Sequence, residues 1–244
     1  MEHIKRDAYK LVEQQVSTED NPFSKIIPAL MKKGLENVNL SMFSDEKKKE
    51  LLNAAAEEYL KRNQVREAIK VFRSTGNKKR LTEIGDDHTR VGMFTHAIEA
   101  YKFAEDFVKL MKVGDKCLEE GHIAEAIACY KSVGDQNKLN SVGDYCLQKG
   151  KVEFAIEVFS ALDNKSKLLS LGDTCFIDKQ FILAARAFEL ADEKGKLNTV
   201  GEEFMKIGLL ANALRAFEAA SNTMMVEFIK ENFGDKDLVN KVYV

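Results

Sequence analysis

Three of the four cysteines, Cys117, Cys146 and Cys175, recur at one constant interval. Spacing this regular raises the question of disulfide or metal chemistry, and the residues around it argue against both. Neighbouring packed helices lie about 8–10 Å apart, too far for a disulfide without distortion. No CxxC or Cys/His cluster has the spacing of a zinc site. The thiols read as small buried hydrophobes in a reducing compartment. His88 falls in the same column, His96 and His122 fall near turns, and His3 lies in the terminal segment. No serine or cysteine has a base spaced to activate it, and no glycine loop has the form that cradles phosphate. Neither catalysis nor a cofactor or metal is expected.

A second column is acidic: Glu57, Asp86, Asp115, Asp144, Asp173 and Glu202 recur at the same interval. At about 100° per residue, Asp115 sits about 140° from the centre of the apolar stripe of its helix, outside the core. Asn140, Ser141, Ser170, Asn198 and Thr199 fall beside the acids. A basic column, Arg80, Lys109, Lys138, Lys167 and Lys196, runs along the other flank of the same helices. Within one helix the two columns are six residues, or about 9 Å, apart. Two readings stay open: a carboxylate-lined groove for a cationic extended ligand, or a ladder in which neighbouring units neutralise each other.

The elements that carry these columns form a repeat. Gly85, Gly114, Gly143, Gly172 and Gly201 keep the same interval without an insertion, and residues 48–76 are a weaker copy that makes six units. A fixed period of this size, about 29 residues, marks an array of stacked supersecondary units. Asn77, Asp106, Asp135, Asn164 and Asn222 recur at the unit boundary as N-caps, with Asp192 expected to cap where Glu193 fills the column. Leu110, Val113, Gly114 and Cys117 and their equivalents give one apolar stripe at i, i+3, i+4, i+7. Asn63, Gly92, Gly121, Gly150 and Gly208 close this first helix, with Lys179 the exception. A second helix carries an alanine column, from Ala68 to Ala213, and four residues on an aromatic: Phe72, Tyr101, Tyr130, Phe159, Phe188, Phe217. Counting back from the turn sets each mid-helix glycine opposite the alanine of its own unit.

The order Leu110, Val113, Gly114, Gly121, Ala126, Tyr130, Val133 resembles the tetratricopeptide repeat, a helix–turn–helix unit normally of about 34 residues. The resemblance covers residues 48–221. It departs in having leucine for the family's tryptophan, cysteine often for its first-helix tyrosine, no proline after the second helix, and a shorter connection between units. It implies an all-α fold, a right-handed α-solenoid of six helix-turn-helix repeats. In such arrays the first helices line the concave surface. The resemblance therefore places Glu57, Asp86, Asp115, Asn140, Asp144, Asp173, Asn198 and Glu202 along a groove for a partner protein or basic peptide.

Residues 1–47 read as an N-terminal helical cap. Ile4, Ala8, Leu11, Val12 and Gln15 suggest one helix and Ser17 to Pro22 a turn. A second helix is expected from Pro22, capped by Asn21, with Phe23, Ile26, Ile27 and Leu30 as its stripe and Gly34 at its end. Ser44 is expected to cap the helix that follows. Residues 222–244 read as a C-terminal capping helix: Val226, Ile229 and Phe233 continue the apolar columns, Glu227, Lys230, Glu231 and Lys236 supply polar faces, and Tyr243 folds back. Charged residues make up 31% of the chain, yet the formal balance is −2. That balance gives no footprint for nucleic acid or an anionic membrane. No secretory signal or apolar run of about 20 residues is visible, so a cytoplasmic chain is expected. The functional expectation is a non-catalytic interaction scaffold or adaptor. The alternatives are an RNA-binding helical-repeat protein, which would need basic lining, and a self-associating structural arm.

Overall fold

The structure, a computed structural model, describes residues 23 and 25–233. The expected helix around Ile4–Gln15, the Asn21 cap, the turn to Pro22 and the return of Tyr243 lie outside the described residues. Among the described residues there are fourteen α-helices, one 3-10 turn and no strand. The chain divides into two compact units, Met1–Gly134 and Asp135–Val244.

The first unit opens with α1, Ile27–Lys33. This helix starts later than Pro22 would have it. Pro28, not Pro22, occupies the first turn, because proline lacks the N–H and clashes with a preceding turn. Gly34 ends it at φ 86°. After the 3-10 turn Leu35–Asn37, α2 runs Asp45–Lys61 behind Ser44, whose hydroxyl accepts from the Lys47 amide at 3.4 Å. Ile27 and Leu40 pack on Leu51 and Ala55 of α2. The unit continues with α3 Val65–Thr75, α4 Lys78–Arg90, α5 Phe94–Ala104, α6 Phe107–Glu119 and α7 Ile123–Val133. The pairs α2/α3, α4/α5 and α6/α7 pack as antiparallel hairpins.

The second unit contains α8 Gln136–Gln148, α9 Val152–Ala161, α10 Lys165–Ile177, α11 Phe181–Ala191, α12 Lys194–Lys206, α13 Leu210–Ala219 and α14 Thr223–Asn232. Here α8/α9, α10/α11 and α12/α13 form the hairpins, and α14 packs on α13. From α4 on, each first helix but one is capped as the boundary residues predict. The side chains of Asn77, Asp106, Asp135, Asn164 and Asn222 each accept from the amide three residues on. The exception is α12, where Asp192 does not act as the cap. It takes φ 63° at the end of α11, leaving Glu193 at the cap position without a side-chain bond.

Every hairpin turns through a left-handed residue, Asn63, Gly92, Gly121, Gly150, Lys179 or Gly208. A second left-handed column precedes each following first helix: Gly76, Glu105, Gly134, Asp163, Asp192 and Ser221. Its mixed chemistry hides it from the sequence.

The mid-helix glycines face rings, not alanines. A Cβ added at Gly172 would lie 2.5 Å from the Phe188 ring, and at Gly143 2.7 Å from Phe159. Gly85, Gly114 and Gly201 stand likewise against Tyr101, Tyr130 and Phe217. The expectation of glycine against alanine is thus corrected. The ring is the bulky group that must reach the first helix, and the alanines are buried beside it. A helical glycine gives up about 1 kcal/mol against alanine, and burying a phenylalanine ring stabilises by about 1.5–3 kcal/mol. The exchange favours the pair.

Candidate functional site

The acidic column lies on the first helices: Glu57 on α2, Asp86 on α4, Asp115 on α6, Asp144 on α8, Asp173 on α10 and Glu202 on α12. Within each unit of the chain, acids bond to the basic column one repeat further on. In the first unit Arg80 grips Glu57 with two bonds, Nε at 2.6 Å and Nη2 at 2.9 Å, and donates a third to Glu83 at 3.0 Å. Lys109 Nζ donates to both oxygens of Asp86 at 2.7 and 2.6 Å. In the second unit Lys167 donates to Asp144 at 2.7 Å, and Lys196 pairs with Asp173 at the same distance. Acid and base keep one sequence separation in all four pairs. The six-residue offset inside one helix therefore does not decide the pairing; the repeat does, because each partner comes from the next repeat.

The rungs are not alike. In the first unit the aromatic residue is tyrosine at two of them, and its hydroxyl donates to the acid: Tyr101 to Asp86 and Tyr130 to Asp115, both at 2.7 Å. In the second unit the aromatic is phenylalanine, with no hydroxyl to donate; the lysine lies over it, Lys167 4.6 Å from the Phe159 ring centre and Lys196 5.9 Å from that of Phe188, as Lys109 lies 5.9 Å from that of Tyr101. Desolvation pulls the Asp86 carboxyl upward. The hydrogen bonds from Lys109 and Tyr101 outweigh it and hold the group below its usual range. Glu57 and Arg80 are the best covered, at 33% and 26% exposure; Asp144 is 55% exposed. Exposed rungs contribute at most about 1 kcal/mol each.

Glu202 is met differently. The position that matches Lys196 one repeat on is Met225, not a lysine. Glu202 is exposed, and the cation that senses it is Lys206 in its own helix, whose ammonium donates to Glu203 at 2.7 Å.

The two asparagines are engaged by backbone and caps. Asn140 donates to the Gln136 carbonyl at 3.0 Å. Asn198 donates to the Lys194 carbonyl at 3.1 Å and accepts from the side-chain amide of the Asn222 cap at 2.7 Å. Asn53 receives the Asn77 cap in the same way, at 3.4 Å, and the Thr75 hydroxyl at 2.7 Å. An asparagine cap has an N–H to place, and here an asparagine of the preceding first helix takes it.

All four cysteines are free and buried. Burial first, then nearby acids, pushes the Cys117 thiol up to about 12, and burial does the same for Cys129. Thiols held protonated in this way are poor nucleophiles and poor metal ligands. His88 donates from Nδ1 to the Ile84 carbonyl at 2.9 Å and meets His96 edge-on at 5.3 Å; burial lowers both imidazoles. Among the described residues no group of three or more His, Cys, Asp or Glu is placed to hold a metal ion, and no helix is long and apolar enough to cross a membrane.

Sequence reasoning missed Met224 and Phe228, which stand on the outward face of α14 and are 72% and 45% exposed. The capping helix is therefore not polar across that face. Val108 already holds the Met224 position in the first unit; within the second unit the same two positions of the preceding first helices are Asn137 and Ser141, Ser166 and Ser170, Gly195 and Thr199. Large apolar residues break a column of small and polar ones. No family model matches the chain, and no curated protein matches it in sequence.

Proposed function

We propose that the chain is a non-catalytic protein-interaction scaffold of the cytoplasm. In this reading residues 48–221 are six shortened tetratricopeptide-like repeats wound as a right-handed α-solenoid, with helical caps over residues 1–47 and 222–244. Support for the repeat reading is local: one hairpin design recurs, with its cap, its left-handed turn and its glycine against a ring. The observation that carries the function is the ladder. Arg80, Lys109, Lys167 and Lys196, cations of the outward face, are each bound to a carboxylate. The charge of this column is thus turned to carboxylates and not to a nucleic-acid backbone, whereas apolar side chains such as Leu147, Ile177 and Ile207 are exposed where first helices end. Isolated apolar residues are ordinary at surfaces; recurring at the turns of successive hairpins they suit a protein partner.

The groove candidates divide under this proposal. Glu57, Asp86, Asp144 and Asp173 serve first as rungs, and Glu202 is the acid left to meet a partner. The test is capture from cytosolic extract on the immobilised chain, with and without ribonuclease, beside sedimentation of the chain alone. Ribonuclease-resistant capture of a defined protein is the expected result. Retention on RNA, with capture lost to ribonuclease, would replace the proposal by the nucleic-acid reading. Concentration-dependent self-association without a captured partner would replace it by the structural arm.

A further inference from the structure

The ladder also indicates where on the second unit a partner docks, an inference that rests on the scaffold reading. A first-helix acid is closed wherever the next repeat supplies a lysine, as at Asp144 and Asp173. The register that pairs those residues brings Glu202 to Met225, which has no charge to offer. On α14 itself, Ile229 is fully buried and ties the helix to the unit, and Lys230 is bound to Glu218 at 3.0 Å. The outward face therefore keeps Glu227 and Glu231, both exposed and without an ion pair among the described residues. Glu231 is the seventh member of the acidic column, one repeat after Glu202. Beside these carboxylates stand Met224 and Phe228, exposed, one helical turn apart and on one side.

We propose that this face of α14 docks an amphipathic helix of a partner protein, one that presents apolar residues flanked by lysine or arginine. The apolar pair supplies an anchor of the kind that dominates interfaces, an aromatic and a methionine side by side. Glu202, Glu227 and Glu231 set the charge of the rim, and a cationic flank complements three carboxylates that form no ion pair among the described residues. An anionic or uncharged apolar helix would meet the same anchor with repulsion or without reward. Methionine adapts to partners of differing shape.

The probe is a short labelled peptide of leucine and lysine patterned as an amphipathic helix, titrated into the full chain and followed by fluorescence anisotropy. Its leucine/glutamate counterpart and a lysine-rich peptide without leucine are the controls. Saturable binding of the leucine/lysine peptide alone is expected. The pair Met224→Ser with Phe228→Ser should weaken it by roughly tenfold. The pair Glu202→Gln with Glu231→Gln should weaken it several-fold and flatten its dependence on salt. Asp173→Asn, which opens an interior rung, should leave it unchanged, and melting curves check that each variant folds. Equal binding of the leucine/glutamate peptide, or indifference to Met224→Ser with Phe228→Ser, overturns the proposal. So does self-association of the parent that Phe228→Ser abolishes, which would make a second copy the occupant. Binding seen only after deletion of residues 234–244 would assign the face to the chain's own end. If ribonuclease-resistant capture survives Met224→Ser with Phe228→Ser, docking at α14 is wrong while the scaffold reading stands.

Discussion

Asp173 and Glu202 hold the same place in neighbouring first helices, and the residue that faces each from the next repeat differs. Asp173 meets Lys196 at 2.7 Å; Glu202 has Met225 at the matching position. The interior of the second unit is closed in this sense, with its charges matched to one another. At its last described helix it is open: Glu202 finds Met225 where the preceding acids find a lysine, and Met224 and Phe228 are exposed. A rung closes only where the next first helix supplies a cation, and α14 supplies Met225 instead. The same logic governs the glycines. Gly85, Gly114, Gly143, Gly172 and Gly201 each make way for a ring of the helix that follows. In α14 the glycine column reads Lys230.

The largest effect that can break this comparison is steric. A Cβ at Gly172 would fall 2.5 Å from Phe188, whereas one at Gly195, near the start of α12, meets nothing within 4 Å. Gly172→Ala should destabilise by roughly 1–3 kcal/mol through overpacking. Gly195→Ala should stabilise by roughly 0.5–1 kcal/mol through helix propensity and a less flexible unfolded chain. Urea melts of the two variants check both signs, and equal behaviour would remove the glycine–ring account.

A smaller effect separates the tyrosine rungs from the phenylalanine rungs. The Tyr101 hydroxyl donates to the Asp86 carboxylate. Tyr101→Phe should lose about 1 kcal/mol, the usual net worth of one intramolecular hydrogen bond. Phe159→Tyr tests whether the second unit can be given the same bond. Asp86 titrates below its usual range in the folded state, so its contribution is complete above the unfolded carboxyl value and lost as pH falls through the folded one. The gap between parent and Tyr101→Phe should therefore narrow in acid below about pH 4. A gap that stays constant into strong acid would contradict the Asp86 bond.

A third, weaker effect is set by His88 and His96. Their folded values lie below the ordinary one. The stability they contribute is complete above about pH 6.5 and is lost as pH falls through the folded values. His88→Gln should lessen the drop in melting temperature between neutral and mildly acid solution.

Much of this is legible in the sequence, and the failures have physical causes of their own. Helix starts follow from Asn77, Asp106, Asp135, Asn164 and Asn222, because capping is local chemistry. Register between repeats is not local. The acid and lysine columns are both visible, but their pairing emerges only when the second is counted from the next repeat. The glycine's neighbour is misjudged because counting from a turn fixes height along the hairpin and ignores the reach of a ring. The start of α1 is misplaced because Pro28 stands in its first turn, where the sequence offers an earlier proline equally suited to that place. Asn140 and Asn198 look like readers of a ligand, yet Asn198 serves the Asn222 cap.

Met225→Lys tests the central claim most directly, because it supplies the missing rung without touching Met224 or Phe228. Lysine or arginine already fills that position in five repeats, so the fold should tolerate it, with stability changed by less than about 1 kcal/mol. The closed ladder should then weaken binding of the leucine/lysine peptide several-fold relative to the parent. Unchanged or tighter binding, with the variant folded, would contradict the claim that the open end of the ladder is what a partner meets.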